Sequence, residues 1–269
     1  MSTRAPGRSR PAEAILAVWL GLFAVLLYLP LVVMVLFSVN RARFATFPFV
    51  GFSWRWYERL FADPSWIAAL VNSLVVGIAA SAIATVLGFL CGYALAVSQF
   101  RGKDAFTILV LAPLAVPLIL LGVSIRVVMF FLHLEPSLWF VLAGHVVYVL
   151  PLAVLTLRNR IARIPPSHEA AAFDLGATRW QAIILIILPQ CRTALIATFL
   201  LTFTFAFDEF IIAYFLTTFE LTLPIKIWVS LMTGFDPTVN AAATLMLVAS
   251  IALGVTAQAL SMARERAPG

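Results

Sequence analysis

A chain of 269 residues that is 63% hydrophobic, 11% charged and of mean hydropathy +1.04 lies far outside the range of soluble globular domains. Its net charge of +6 is spread along this apolar chain and forms no basic soluble face, which excludes nucleic acid as a partner and points to anionic lipid headgroups instead. An all-α polytopic membrane protein is the class that remains.

A bilayer core of about 30 Å needs roughly 20 apolar residues per helix. Read for such runs in chain order, the sequence predicts six transmembrane helices: Ala14–Phe37, Ile67–Val97, Ala105–Leu132, Ser137–Leu157, Cys191–Leu216 and Val239–Met262. The first follows Arg4, Arg8 and Arg10 but runs for about 24 residues with no small-residue cleavage site after it, too long for a signal peptide and read as retained. One transmembrane domain thus spans residues 14–262, between tails at 1–13 and 263–269, with a polar insert at 158–190. Placing both termini in the cytoplasm puts twelve Lys and Arg residues inside and five outside, with Arg126 within the third helix, as the positive-inside rule expects.

The first outer loop, Val39–Trp66, carries Phe44, Phe47, Phe49, Phe52, Trp54, Trp56, Tyr57 and Phe61. Such rings form an interfacial belt at headgroup depth, and the same surface could dock an extracytoplasmic partner. Cys91 and Cys191 fall on the inner halves of their helices, where thiols stay reduced. His133, His145 and His168 lie in separate segments without ligand spacing, so no metal site is expected. The Gly102–Lys103 pair is followed by Asp104 and is no phosphate loop. With no nucleophile–base arrangement either, no catalytic residue is assigned and no cofactor is expected in this chain.

The insert behaves differently. Pro165 and Pro166 stop the fourth helix and make a stiff turn. Ser167 is expected to N-cap a short helix with Glu169 in its first turn, where the helix dipole favours an acid. Ala170, Ala171 and Ala172 make that helix thin, so another body can approach its backbone. Gly176 suits a left-handed C′ position, and a second amphipathic segment, Arg179–Leu188, leads to Pro189 and the fifth helix. Together these residues form a helix–turn–helix elbow.

Charges inside the membrane are functional hypotheses by default. Asp208 and Glu209 sit in the outer half of the fifth helix, and Arg126 sits at similar depth in the third. An Arg126 ion pair with either acid is one reading. The other is a translocation path whose carboxylates replace a cation's hydration. Adjacent residues diverge by about 100° around a helix, so Asp208 and Glu209 take different faces.

The elbow resembles the EAA loop of permease subunits of type I ATP-binding-cassette importers. Ala171 and Ala172 fall on the two alanines, Asp174-Leu175-Gly176-Ala177 matches a common variant, and Ile186, Leu188 and Pro189 follow Gly176 at the family's spacing. The motif's glutamate position is held by Ala170, with Glu169 one residue early. Trp56-Tyr57 to Leu60-Phe61, Asn72-Ser73-Leu74 through Gly88, and Tyr93-Ala94 are also similar, so the likeness spans about two-thirds of the chain. It implies the type I importer permease fold, a bacterial inner-membrane location, and a coupling helix seated in a dimeric cytoplasmic ATPase that binds ATP and Mg. It also implies a second permease subunit, here a heterodimer partner, and an extracytoplasmic solute-binding protein. Phe207-Asp-Glu-Phe-Ile-Ile212, Leu223-Pro224 and Asn240-Ala241 are similar to the second permease of spermidine/putrescine importers, which implies a polyamine substrate. Opines or phosphonates carried by the same machinery, and an ion-coupled secondary transporter, are the alternatives.

Overall fold

The computed structural model describes residues 10–42, 48–234 and 236–265. Phe44 and Phe47 of the aromatic loop lie outside them, as do Arg4, Arg8 and Arg266. The described residues are helical almost throughout, and an isolated antiparallel bridge joins Asn40 to Phe52. In chain order come α1 (Arg10–Ser38), α2 (Arg55–Ala62), α3 (Pro64–Val97), α4 (Lys103–Leu111) and α5 (Leu118–Phe131). They are followed by α6 (Leu138–Ile161), α7 (Pro166–Asp174), α8 (Arg179–Ala182) and α9 (Leu188–Phe207). The last three are α10 (Ile211–Leu216), α11 (Leu223–Thr233) and α12 (Thr238–Glu265).

Five helices among the described residues are long and apolar enough to cross a membrane, up to six when the bent pair of α4, with its following turn, and α5 is counted as one span. That pair corrects the expected continuous helix Ala105–Leu132. α4 tightens into a 3₁₀ turn at Ala112–Ala115, and α5 leaves at 106° to it. Pro113 and Pro117 are the cause: neither has an N–H to give, and Pro117 holds Val116 in an extended conformation (φ −89°, ψ 125°). The fifth span is also broken, since α9 stops at Phe207 and α10 starts at Ile211.

α3, α6 and α9 pack on one another as the core of the bundle; α12 lies against α9, and α1 rests on α12. In lipid, helices associate by close packing and not by solvent exclusion, so small residues belong at their contacts. The middle of the bundle follows this rule with Ala80, Ala84, Ala153 and Ala206 around Val149. A Cβ on Gly88 would come within 2.6 Å of the Ala153 Cβ, and one on Gly92 within 2.9 Å of the Arg158 nitrogen. Larger side chains fill the two ends: Trp56, Leu60, Trp66, Phe203 and Phe207 at one, and Phe89, Tyr93, Leu157, Ile161 and Ile187 at the other.

The aromatic loop divides between two environments. Trp56 and Leu60 on one face of α2 are buried, and the Trp56 Nε1 donates to the Asn40 carbonyl at 2.7 Å. Phe52, Trp54 and Phe61 remain exposed and available to an interface. Asp63 then caps α3, accepting from the Ser65 N–H at 2.8 Å with Pro64 in the first turn.

Candidate functional site

The elbow is built from backbone chemistry. α7 begins at Pro166 with Pro165 as its N-cap and no side-chain cap, so Ser167 lies inside the first turn and does not cap it. Pro166 lacks one of the N–H groups that a helix start leaves unpaired, and the His168 N–H is met by the Pro165 carbonyl at 3.1 Å. The far end of α7 closes as expected: Gly176 has φ +84°, its N–H reaches the Phe173 carbonyl at 2.9 Å, and the Ala177 N–H reaches the Ala172 carbonyl at 3.0 Å. Those two bonds make a Schellman closure, which requires the left-handed residue. α8 restarts with a reciprocal capping box, Thr178 accepting from the Gln181 N–H and the Gln181 side chain accepting from the Thr178 N–H.

From α8 the chain enters α9 through a π-turn at Ile183–Ile187, where the Leu188 N–H bonds the Ile183 carbonyl. Pro189 accounts for the widened turn, because its ring and missing N–H cannot fit a regular α-turn. Ile186 and Leu188 pack against the buried cluster at this end of the bundle, while Ala170, Ala171, Asp174 and Gly176 face outward. Ala172 is buried under the elbow. The elbow carries exposed apolar side chains: Leu175 is 89% exposed, and Phe173 and Trp180 are exposed as well.

The second constellation is the break after α9. The Asp208 N–H completes that helix on the Thr204 carbonyl at 3.2 Å. The Glu209 carboxylate then accepts from the Ile212 N–H at 3.0 Å and the Ala213 N–H at 3.2 Å, taking the place of the carbonyls that a continuous helix would supply. Negative charge at a helix N-terminus is favoured by the dipole. His145 Nε2 lies 3.2 Å from the same carboxylate, and both side chains are buried. α10 is held between α5 and α6 at two glycines. A Cβ on Gly144 would sit 2.6 Å from Ile212 Cγ2, and one on Gly122 would sit 2.9 Å from Phe215 Cδ2.

Asp208 points the other way. It is exposed, accepts from Ser250 Oγ at 2.8 Å, and lines a cleft of about 550 Å³ with Leu118, Tyr148, Thr204, Phe205, Glu209, Phe210 and Ile211. Tyr148 and Phe205 meet edge to face, with centroids 6.5 Å apart.

Residues 84–266 match the model of the family described as "Binding-protein-dependent transport system inner membrane component". The chain belongs to that family. It is a permease subunit of an ABC importer, a multi-pass component of the inner membrane and not itself a catalytic subunit. The permease is 34% identical to the spermidine/putrescine transport system permease protein PotC of Haemophilus influenzae over 237 residues, 87% of this chain and 91% of that one. It is 30% identical to the putrescine transport system permease protein PotI of Escherichia coli K12, covering 89% of this chain and 88% of the relative. In fold it is similar to a chain of a bacterial ABC transporter involved in the import of the acidic polysaccharide alginate, with a TM-score of 0.65 at 20% identity over 98% and 100% of the two chains.

Of the two readings of the membrane charges, the ion pair of Arg126 with Asp208 or Glu209 is not formed. Arg126 is exposed on the helix that buries Gly122 and Met129, makes no ion pair with Asp208 or Glu209, and does not line the cleft. The 106° bend explains this, because depth counted along a straight third helix does not apply to α5. The side-chain partner of Glu209 is instead His145, whose Nε2 lies 3.2 Å from the carboxylate. Its signal was its location alone, a titratable group inside a span.

Proposed function

We propose that this permease forms one half of the path of an ATP-driven polyamine importer, with its termini and elbow in the cytoplasm. The observation that carries the substrate reading is Asp208, a carboxylate exposed in an aromatic cleft. A polyamine is a methylene chain with terminal ammonium groups. Asp208 replaces the hydration of one ammonium, while Tyr148, Phe205 and Phe210 contact the methylenes and offer ring faces to the charge. Relatives named for spermidine and putrescine support the same choice. Glu209, already bonded to His145 and two backbone N–H groups, supports the cleft from behind.

The elbow is proposed as the coupling site. Leu175, Phe173 and Trp180 present an apolar knob on a thin helix that a groove of a dimeric ATPase would accept. That ATPase binds ATP and Mg. A second permease, a different chain, completes the path, and an extracytoplasmic solute-binding protein delivers the substrate to the face carrying α2. Family membership replaces the ion-coupled reading.

The test is uptake by the complex reconstituted in proteoliposomes with its ATPase, second permease and binding protein. Labelled spermidine or putrescine should accumulate only with ATP, resist a protonophore, and be competed by unlabelled polyamine. Competition by opines or phosphonates instead would replace the substrate assignment. Uptake abolished by the protonophore would contradict the ATP-driven reading.

A further inference from the structure

Glu169 belongs to the elbow, yet its side chain faces away from the surface that a motor would grip. It is 9% exposed, and Tyr93 Oη, near the end of α3, donates a hydrogen bond to its Oε1. Arg179, at the start of α8, closes the cluster from the other side. Its guanidinium carbon lies 5.7 Å from the Tyr93 ring centroid, and its Nη2 donates to Ser98 Oγ at 2.6 Å. Around this polar tie, α7 and α3 are otherwise separated by a cleft of about 340 Å³ between Val97, Pro166, Ala170 and Phe173. The tie therefore bridges a gap that apolar packing leaves open.

What it joins the elbow to is a rod. α3 runs unbroken from Pro64 to Val97 and is locked to α6 where Gly88 and Gly92 meet Ala153 and Arg158. Some 21 residues before Tyr93, about 32 Å along a helix rising 1.5 Å per residue, Asn72 and Ser73 grip the segment that leads into α11. Asn72 Nδ2 donates to the Leu221 carbonyl at 3.0 Å, and the Leu223 N–H donates to Ser73 Oγ at 2.7 Å. A displacement of the elbow thus has two routes into the bundle: directly along the chain into α9, and through the Tyr93–Glu169 contact into α3 and on to α11.

We infer that Tyr93 is a positioning residue for coupling: its contact with Glu169, braced by Arg179, transmits elbow movement to α3 and through it to the outer end of the permease. This rests on the ATP-driven importer reading. The motif's own glutamate position is occupied here by Ala170, which faces outward, and the acid one residue earlier serves the intramolecular tie.

The experiment measures ATP hydrolysed per spermidine transported by the reconstituted complex, each variant normalised to the amount assembled. Tyr93→Phe removes the hydroxyl and keeps the ring; the ratio should rise on the order of tenfold, the scale of one hydrogen bond to a charged group. Glu169→Gln retains an acceptor oxygen and should stay closer to the wild type than Glu169→Ala. If Tyr93→Phe does not assemble, Ser98→Ala, which cuts only the Arg179 brace, should raise the ratio by a smaller factor. Wild-type ATP-dependent uptake separates the two readings. Its failure overturns the importer reading together with the tie. With wild-type uptake intact, an unchanged ratio in Tyr93→Phe, or in Ser98→Ala where that variant stands in, overturns the tie alone.

Discussion

Glu169 and Glu209 are the two buried carboxylates among the described residues, and they are buried for different purposes. Glu209 is saturated: two backbone N–H groups and His145 surround it, and glycines at 144 and 122 press the helix it starts against α6 and α5. Glu169 has Tyr93 as its partner across a partly open cleft, which Arg179 also lines. The first is an element of construction, since its removal leaves donors buried without acceptors. The second ties the elbow to the end of α3. A buried acid in a membrane bundle is therefore not by itself evidence of a substrate site; the number of groups already bonded to it decides.

The comparison breaks most readily at Glu209. Glu209→Ala strands the N–H groups of Ile212 and Ala213, at about 1–3 kcal/mol for each buried donor, and leaves His145 without its acid. A lower melting temperature and a smaller yield of assembled complex in detergent are expected; a melting temperature equal to the wild type would return Glu209 to the list of path residues. Gly144→Val should produce a loss of similar kind, because its side chain would enter the space of Ile212 and Leu216. Normal assembly of that variant would show that α10 is not clamped against α6.

At the elbow the expected effects are on coupling more than on stability. Gly176→Val imposes a side chain on a residue at φ +84°, a cost of roughly 1–3 kcal/mol, with open space around it. ATP hydrolysis should persist while uptake falls, as read from their ratio; an unchanged ratio would remove the Schellman turn from the coupling site. Smallest of all is Arg126→Leu. No ion pair is lost with either cleft acid, so melting temperature and assembly should stay within error of the wild type, and a marked drop would mean that the third and fifth spans are joined through it after all.

The spans and the elbow were legible because their signals are local. Apolar run length placed α1, α3, α6 and α12 within a few residues, and Gly176 took the left-handed turn assigned to it. Thr178 and Gln181 carry a capping box that is equally local, three residues apart. The break at 112–117 had its signal in Pro113 and Pro117, yet an unbroken hydropathy run overrode it. The break at 208–210 had none, since no proline or glycine occurs there and the cause is a carboxylate whose partner, His145, lies 64 residues away. The Tyr93–Glu169 tie joins residues 76 apart for the same reason. Contacts of this length depend on which helix faces are brought together, and an even coat of apolar residues conceals those faces.

The most direct test of the division of labour between Asp208 and Glu209 is spermidine uptake by the reconstituted Asp208→Asn complex as a function of substrate concentration, normalised to assembled protein. The account predicts assembly at the wild-type level with uptake reduced at least about tenfold, the scale of one lost charge interaction, by contrast with the assembly defect of Glu209→Ala. Wild-type uptake by Asp208→Asn, or a failure to assemble matching that of Glu209→Ala, would contradict it.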